Sequence, residues 1–432
     1  MRQRGAERPT LSPMSSFVIR PGAPLEGSVR VAGATKNAGL KQMCAALLAP
    51  GTTVLRNMTP VGDLPVMVDL FRELGVGVNQ PGDDVVEVDT SGTITPHAPY
   101  ELVSRMRASV NVLGALLGRC HEARVAMPGG DNIGSRKLDM HFRGLEAMGA
   151  NIAIVHGYIE ASTPGLVGAR HVLDFPSVGA TENLMLAAVL ADGVTVIENA
   201  AREPEIADLA STLNRMGGQV IGAGTSTVEV EGVEGVEPVD SVIIPDRIEA
   251  GTLLMACGVA GGEVTLEGAR MEDLEMVVVK LGEMGLKVSP TAEGLWVRAD
   301  GRPRAVDIAT LPYPGFATDF MPTAVALLSI AEGTAIVTEN LFDNRFGFVD
   351  ELNRMGADIR TEGRHAVIRG VERLSGAPVV ANDVRAGAAL TLAALAADGE
   401  TRVIDTHHVD RGYEDLAGKL ASLGADIRRD DA

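Results

Sequence analysis

The stretch ENLMLAAVLADGVTVIE, residues 182–198, passes from a charged residue into an apolar helical segment, turns at Asp-Gly and leaves as an alternating β run. Five other stretches follow the same plan: KNAGLKQMCAALLAPGTTVL (36–55), RASVNVLGALLGRCHEARVAM (107–127), RIEAGTLLMACGVAGGEVTL (247–266), DFMPTAVALLSIAEGTAIVTE (319–339) and RAGAALTLAALAADGETRVI (385–404). A second helical stretch, as in EIADLASTLNRMG (205–217), and a Leu-Gly or Met-Gly before a further strand complete each unit. The closing glycines Gly75, Gly149, Gly217, Gly285, Gly356 and Gly424 are 74, 68, 68, 71 and 68 residues apart. One supersecondary unit is used six times.

The first helix of each unit is apolar nearly all round, which places it inside; the second carries an apolar stripe opposite charges, which places it outside. A chain of 432 residues exceeds one ordinary core, so six units divide into two domains of three. The expected fold is α/β, with βαβαββ-type units whose sheets surround buried helices. SFVIRPGAPLEGSVRVAG (16–33) reads as two short strands around a Pro-Gly turn. Residues 1–16 read as a disordered extension without the apolar region of a signal peptide.

Composition removes several function classes. A formal charge of −19 opposes a general nucleic-acid surface, so an anionic substrate must be met by a local cluster of cations. Cys44, Cys120 and Cys257 lie in apolar helical stretches, where a thiol acts as a small hydrophobe. That pattern fits a reducing cytoplasm rather than a disulfide framework. No apolar run reaches the roughly 18 residues of a membrane span. The sequence has no GxGxxG after a strand, GxxxxGK[ST], HExxH or CxxC, so no nucleotide cofactor or metal is expected.

The charged residues opening the six first helices are Lys36, Arg107, Glu182, Arg247, Asp319 and Arg385. A cation at a helix N-terminus is locally unfavourable, and a bound anion reverses the penalty. Arg136, Arg345 and Arg411 stand at or just before the second helices. Two loops interrupt the repeat: PGGDNIGSRKLDMH (128–141) around Asp131, and LPYPGFATDF (311–320), which delivers Asp319. Loop carboxylates among arginines are candidates for general acid and base.

From about Phe17 onward the chain resembles the UDP-N-acetylglucosamine 1-carboxyvinyltransferases, the enolpyruvyl transferases of peptidoglycan synthesis. The resemblance rests on KNAGL, MRASVNVLG, PGGDNIGSR, FPSVGATEN, ENAAREPEI, PYPGFATDF, ENLFDNRF, DVRAGAAL and VDRGYE, all in the family's order. It implies two inside-out α/β barrels closing over a cleft, one of residues 36–244 with a mobile loop near 128–137, the other of 17–35 with 245–432. It also implies no cofactor, and a reaction between phosphoenolpyruvate and the sugar 3-hydroxyl of UDP-N-acetylglucosamine. By the same resemblance Lys36, Arg136 and Arg411 would hold phosphoenolpyruvate, supported by Arg107, Arg345 and Arg385. Asn37 would meet the sugar, Ser177, Val178 and Gly179 the diphosphate, and Arg136, Lys137, Leu138, Asp139 and Met140 the uracil.

Asp319 would remove the hydroxyl proton. Asp131 stands where most of the family has the cysteine that protonates the methylene carbon and is alkylated by fosfomycin, so resistance to that drug is expected. Thr35 and Lys137 depart from the family pattern and bear on acceptor specificity. The alternatives are transfer to another uridine nucleotide such as UMP, or an inactive nucleotide-sugar-binding regulator.

Overall fold

The computed structural model describes residues 15–33, 36–130, 133–134 and 138–430. Among these residues six four-stranded sheets share one plan. In the unit of the opening motif, strand Arg170–Val172 lies parallel to Val194–Glu198. Val194–Glu198 pairs antiparallel with Thr227–Glu231, which pairs antiparallel with Gln219–Ile221. A parallel pair requires a crossover, and helix Val178–Ala188 supplies it. Helix Pro204–Arg215 covers the unit from outside, with Ile206, Leu209 and Leu213 inward and Arg215 at its basic end.

The helices are inside, as the apolar periodicity predicts. Every residue of helix Arg247–Ala260 except Ala260 is buried, and every residue of Val384–Leu395 except Leu395. Their close approach depends on missing side chains: a Cβ on Gly114 would lie 2.1 Å from the Asn183 carbonyl oxygen, and one on Gly251 2.3 Å from the Phe320 ring. Helix Val178–Ala188 begins four residues before Glu182, with Ser177 as its N-cap. Glu182 is therefore an interior residue of its helix, not the opening charge that the sequence suggested.

The regular Leu-Gly and Met-Gly spacing has a stereochemical cause. All six closing glycines have φ between 79° and 103°, a region that a side chain disfavours. After each, an N–H reaches back to the carbonyl five residues earlier, as from Val76 to Phe71, Gly218 to Leu213 and Ala425 to Leu420. The preceding Leu74, Met148, Met216, Met284, Met355 and Leu423 are buried. Each outer helix thus ends in a Schellman motif.

Two separate cores result, one from residues 38–243 and the other from residues 17–31 with 248–427. Strand Asp240–Val242 returns to the edge of Thr52–Arg56, closing the first three units on themselves. The two strands flanking the Pro-Gly turn do not pair with each other. Ser16–Arg20 inserts between Thr401–Ile404 and Asp426–Asp430, whereas Leu25–Arg30 lies beside Gly262–Glu267. Ser16 pairs in that sheet and is buried, so the fold begins inside the segment read above as extension. Among the described residues no helix is long and apolar enough to cross a membrane.

Candidate active site

Between the two cores lies a cavity of about 580 Å³ to which both contribute. Lys36, Asn37, Lys41, Arg107, Asn111, Asp139, Met140, His141 and the first turn of helix Val178–Ala188 line one side. Arg247, Tyr313, Thr318, Asp319 and residues 340–342 line the other. Lys36, Lys41, Arg107 and Arg247 thus meet in one cavity, together with the carboxylates Asp139, Glu203, Glu205 and Asp319.

Asp319 occupies the short helical turn Thr318–Phe320, at the entrance to helix Met321–Leu328. Its side chain is 37% exposed, open to the cavity, and its Oδ1 accepts from Arg385 Nε at 2.8 Å. Desolvation acts to raise its pKa, but the guanidiniums of Arg385, Arg345 and Arg247 overcome this and hold it well below the usual carboxylate range. Fully buried Glu339 sets the loops on either side: it accepts from Thr318 Oγ1 at 2.8 Å and from the N–H groups of Leu341 and Phe342 at 2.7 and 3.0 Å.

Arg385, Arg345 and Arg411 stand behind the cavity wall rather than on it. Arg385 reaches the cavity through Asp319. Arg345 lies 3.5 Å from Asp383, which also caps helix Val384–Leu395 by accepting from the N–H groups of Arg385 and Ala386. Arg345 Nε and Arg385 Nη1 are buried donors without a partner among the described residues, a costly state. Arg411 donates to Asp63, whose carboxylate also lies 3.7 Å from Lys36.

At two of the helix starts the cation is not the unfavourable charge expected from sequence. Asp246 caps helix Arg247–Ala260 and Asp383 caps Val384–Leu395, so a carboxylate already offsets the local field there. Arg247 is further bound by Glu205, its Nε lying 3.0 and 3.2 Å from the two carboxylate oxygens, with the Tyr313 ring 5.5 Å away. Burial raises the neighbouring Glu203 to about 7 against the opposing pull of Arg247.

Behind the opposite wall, Glu182 is fully buried and binds the lining residues Lys41 at 3.0 Å and Asn111 at 2.6 Å. Burial pushes its carboxyl up despite these partners. Buried His141 lies 3.0 Å from the Asn183 amide and is lowered to about 3 by desolvation, so it is neutral near pH 7.

Of the residues proposed from sequence, Lys36, Asn37, Arg107, Asp139, Met140, Ser177, Val178, Gly179 and Asp319 line this one cavity. Leu138 is buried beside it without lining it. Asp131, Arg136 and Lys137, like Thr35, lie outside the described residues.

The family model for EPSP synthase (3-phosphoshikimate 1-carboxyvinyltransferase) matches residues 19–420. The UDP-N-acetylglucosamine 1-carboxyvinyltransferase of Corynebacterium jeikeium is 51% identical over 414 residues, 96% of this chain and 99% of that one. The chain belongs to the UDP-N-acetylglucosamine 1-carboxyvinyltransferase family. A second relative in that family, from Mycobacterium leprae, is 49% identical over 96% of this chain and 98% of its own.

Among solved structures, the enolpyruvyl transferase NikO from Streptomyces tendae is similar at a TM-score of 0.86 and 26% identity, covering 96% of this chain and 99% of that one. The EPSP synthase of Acinetobacter baumannii shares the fold at a TM-score of 0.74 and 18% identity, covering 96% of this chain and 100% of that one.

Sequence reasoning passed over Lys41, Asp63, Asn111, His141, Glu203, Glu205 and Glu339. Lys41 was within reach, because it follows Asn37 by one helical turn. Glu205 and Glu339 lie inside quoted motifs of the 1-carboxyvinyltransferase pattern. Asp63 carries no such signal.

Proposed function

We infer that the chain transfers the enolpyruvyl group of phosphoenolpyruvate to the 3-hydroxyl of UDP-N-acetylglucosamine, releasing phosphate, in cytoplasmic peptidoglycan synthesis. The observation that carries this reading is the pairing of Asp319 with Arg385 at a cavity wall, beside buried guanidinium donors that have no partner among the described residues.

The hydroxyl oxygen adds to C2 of phosphoenolpyruvate while Asp319 takes its proton and C3 gains one from Asp131. The adduct then loses a C3 proton, the C2–O bond to phosphate breaks, and the enol ether remains. Lys36, Arg136 and Arg411 hold the phosphoenolpyruvate anion, with Arg107, Arg345 and Arg385 in support; arginine pairs two oxygens of one group at once. Ser177, Val178 and Gly179 meet the diphosphate at a helix N-terminus. Asn37 meets the sugar, and residues 136–140 the uracil.

Asp319 is a weak base while three guanidiniums depress it. An anion bound to those guanidiniums cancels part of their field and returns the carboxylate toward its ordinary range. Proton removal is thereby tied to the presence of phosphoenolpyruvate.

The test is phosphate release from phosphoenolpyruvate with UDP-N-acetylglucosamine, UMP or shikimate 3-phosphate as acceptor. Release with UMP alone selects the other uridine-nucleotide reading, and release with none selects the inactive regulator. Full turnover by Asp131→Asn removes Asp131 from the reaction. Rapid irreversible inactivation by fosfomycin refutes the expected resistance.

A further inference from the structure

We propose that Asp63 is a positioning residue that aligns Lys36 and Arg411 and makes their anion clamp conditional on contact between the two barrels. The proposal rests on the reading that these two cations hold phosphoenolpyruvate.

Asp63 is the first residue of helix Asp63–Glu73, and its side chain is only 2% exposed. A carboxylate so buried is tolerated only with charged partners. Arg411 supplies two bonds, Nε to Oδ1 at 2.8 Å and Nη2 to Oδ2 at 3.4 Å, and Lys36 Nζ lies 3.7 Å from Oδ2. Lys36 enters the first helix of the core formed by residues 38–243, whereas Arg411 follows helix His407–Asp410 and belongs with the other core. One buried carboxylate therefore joins cations from both halves.

The backbone repeats this contact. Gly62 donates its N–H to the Asp410 carbonyl at 2.7 Å. A Cβ on Gly62 would meet that oxygen at 3.2 Å and Arg411 Cα at 3.3 Å, so the segments dock without room to spare. If the halves separate, Arg411 leaves Asp63 and Lys36 together. If they meet, the one carboxylate holds both cations in place. Without Asp63, Lys36 and Arg411 repel each other and lose their common anchor. Asp63 does not line the cavity, so its effect passes through the two cations. Preorganised cations cost no reorientation when the anion arrives.

The experiment compares Asp63→Asn, Asp63→Glu, Arg411→Gln and the double variant Asp63→Asn/Arg411→Gln in the full chain. Steady-state KM for each substrate and kcat are measured, and thermal unfolding verifies folding. Asp63→Asn is expected to raise KM for phosphoenolpyruvate by on the order of tenfold, with KM for the nucleotide sugar within about twofold of the parent. Asp63→Glu should fall between Asp63→Asn and the parent. Because Asp63 acts through Arg411 as well as Lys36, the effect of the double variant should fall short of the product of the two single effects.

An unchanged phosphoenolpyruvate KM in Asp63→Asn, or effects that multiply in the double variant, overturns the proposal and leaves the reading of Arg411 standing. A phosphoenolpyruvate KM unaffected by Arg411→Gln overturns both. Should Asp63→Asn fail to fold, Asp63→Glu decides: an unaltered phosphoenolpyruvate KM in that variant overturns the proposal.

Discussion

Arg247→Met isolates the buried ion pair that crosses the cleft. Arg247 and Glu205 have side chains 6% and 7% exposed, so neither charge is solvated and each depends on the other. Methionine approximates the arginine stem and removes the charge, leaving the Glu205 carboxylate buried beside Glu203. Breaking one side of such a pair costs about 3–5 kcal/mol. The loss should depend on pH with a definite sign. Without the guanidinium, burial of the neighbouring Glu203 is no longer opposed by Arg247, so its carboxyl is pushed further above its unfolded value and the folded variant holds that proton to higher pH.

Protonation relieves the buried charge by about 1.4 kcal/mol per pH unit until the carboxyl is neutral. Denaturant unfolding at pH 8, 6.5 and 5 should therefore show a deficit that shrinks toward acid. Glu205→Gln is the control: it strands a guanidinium that keeps its proton, so acid brings no relief. A pH 8 deficit for Arg247→Met below about 1 kcal/mol, or one equal at pH 5 and 8, would refute the reasoning.

Three further outcomes follow from other sites. Burial raises Glu203 and Glu249 to about 7 and Asp208 and Asp273 to about 6, so the folded chain holds more protons than the unfolded one between roughly pH 4 and 7. Stability should fall as pH rises through that window, and a rising unfolding midpoint would contradict it. Gly114→Ala forces a methyl to within 2.1 Å of the Asn183 carbonyl oxygen, and the overpacking should cost about 1–3 kcal/mol or more in a melting experiment. Iodoacetamide near pH 7 should leave activity intact: Cys44, Cys120 and Cys257 are absent from the cavity lining, and burial pushes the Cys257 thiol up to about 12. Rapid loss that substrate prevents would count against this.

Two kinds of information were present in the chain from the start. Apolar periodicity marked helices such as Arg247–Ala260 as buried, because a helix without a polar face has nowhere else to go. The glycines ending the outer helices were visible because only glycine takes a φ near 90° without strain, and this requirement is local. Lys36, Arg107 and Asp319 were legible as helix-entry charges for the same reason, since an entry is set by the residues around it.

Pairings between distant segments had no such signature. Ser16–Arg20 could have formed a hairpin with Leu25–Arg30, but it buries Phe17 and Ile19 better between strands almost four hundred residues away. Asp63 carried no local signal of its role, which appears only where Arg411, 348 residues later, meets it. Glu205 likewise became a cavity-wall residue only through Arg247.

The repeat, the buried helices and the entry charges Lys36, Arg107 and Asp319 were therefore determined by the sequence, because each depends on stereochemistry within a few residues. Which carboxylate neutralises which cation was decided by the tertiary structure alone. A buried charge is satisfied by whatever the fold brings within about 4 Å, and no local pattern records that distance.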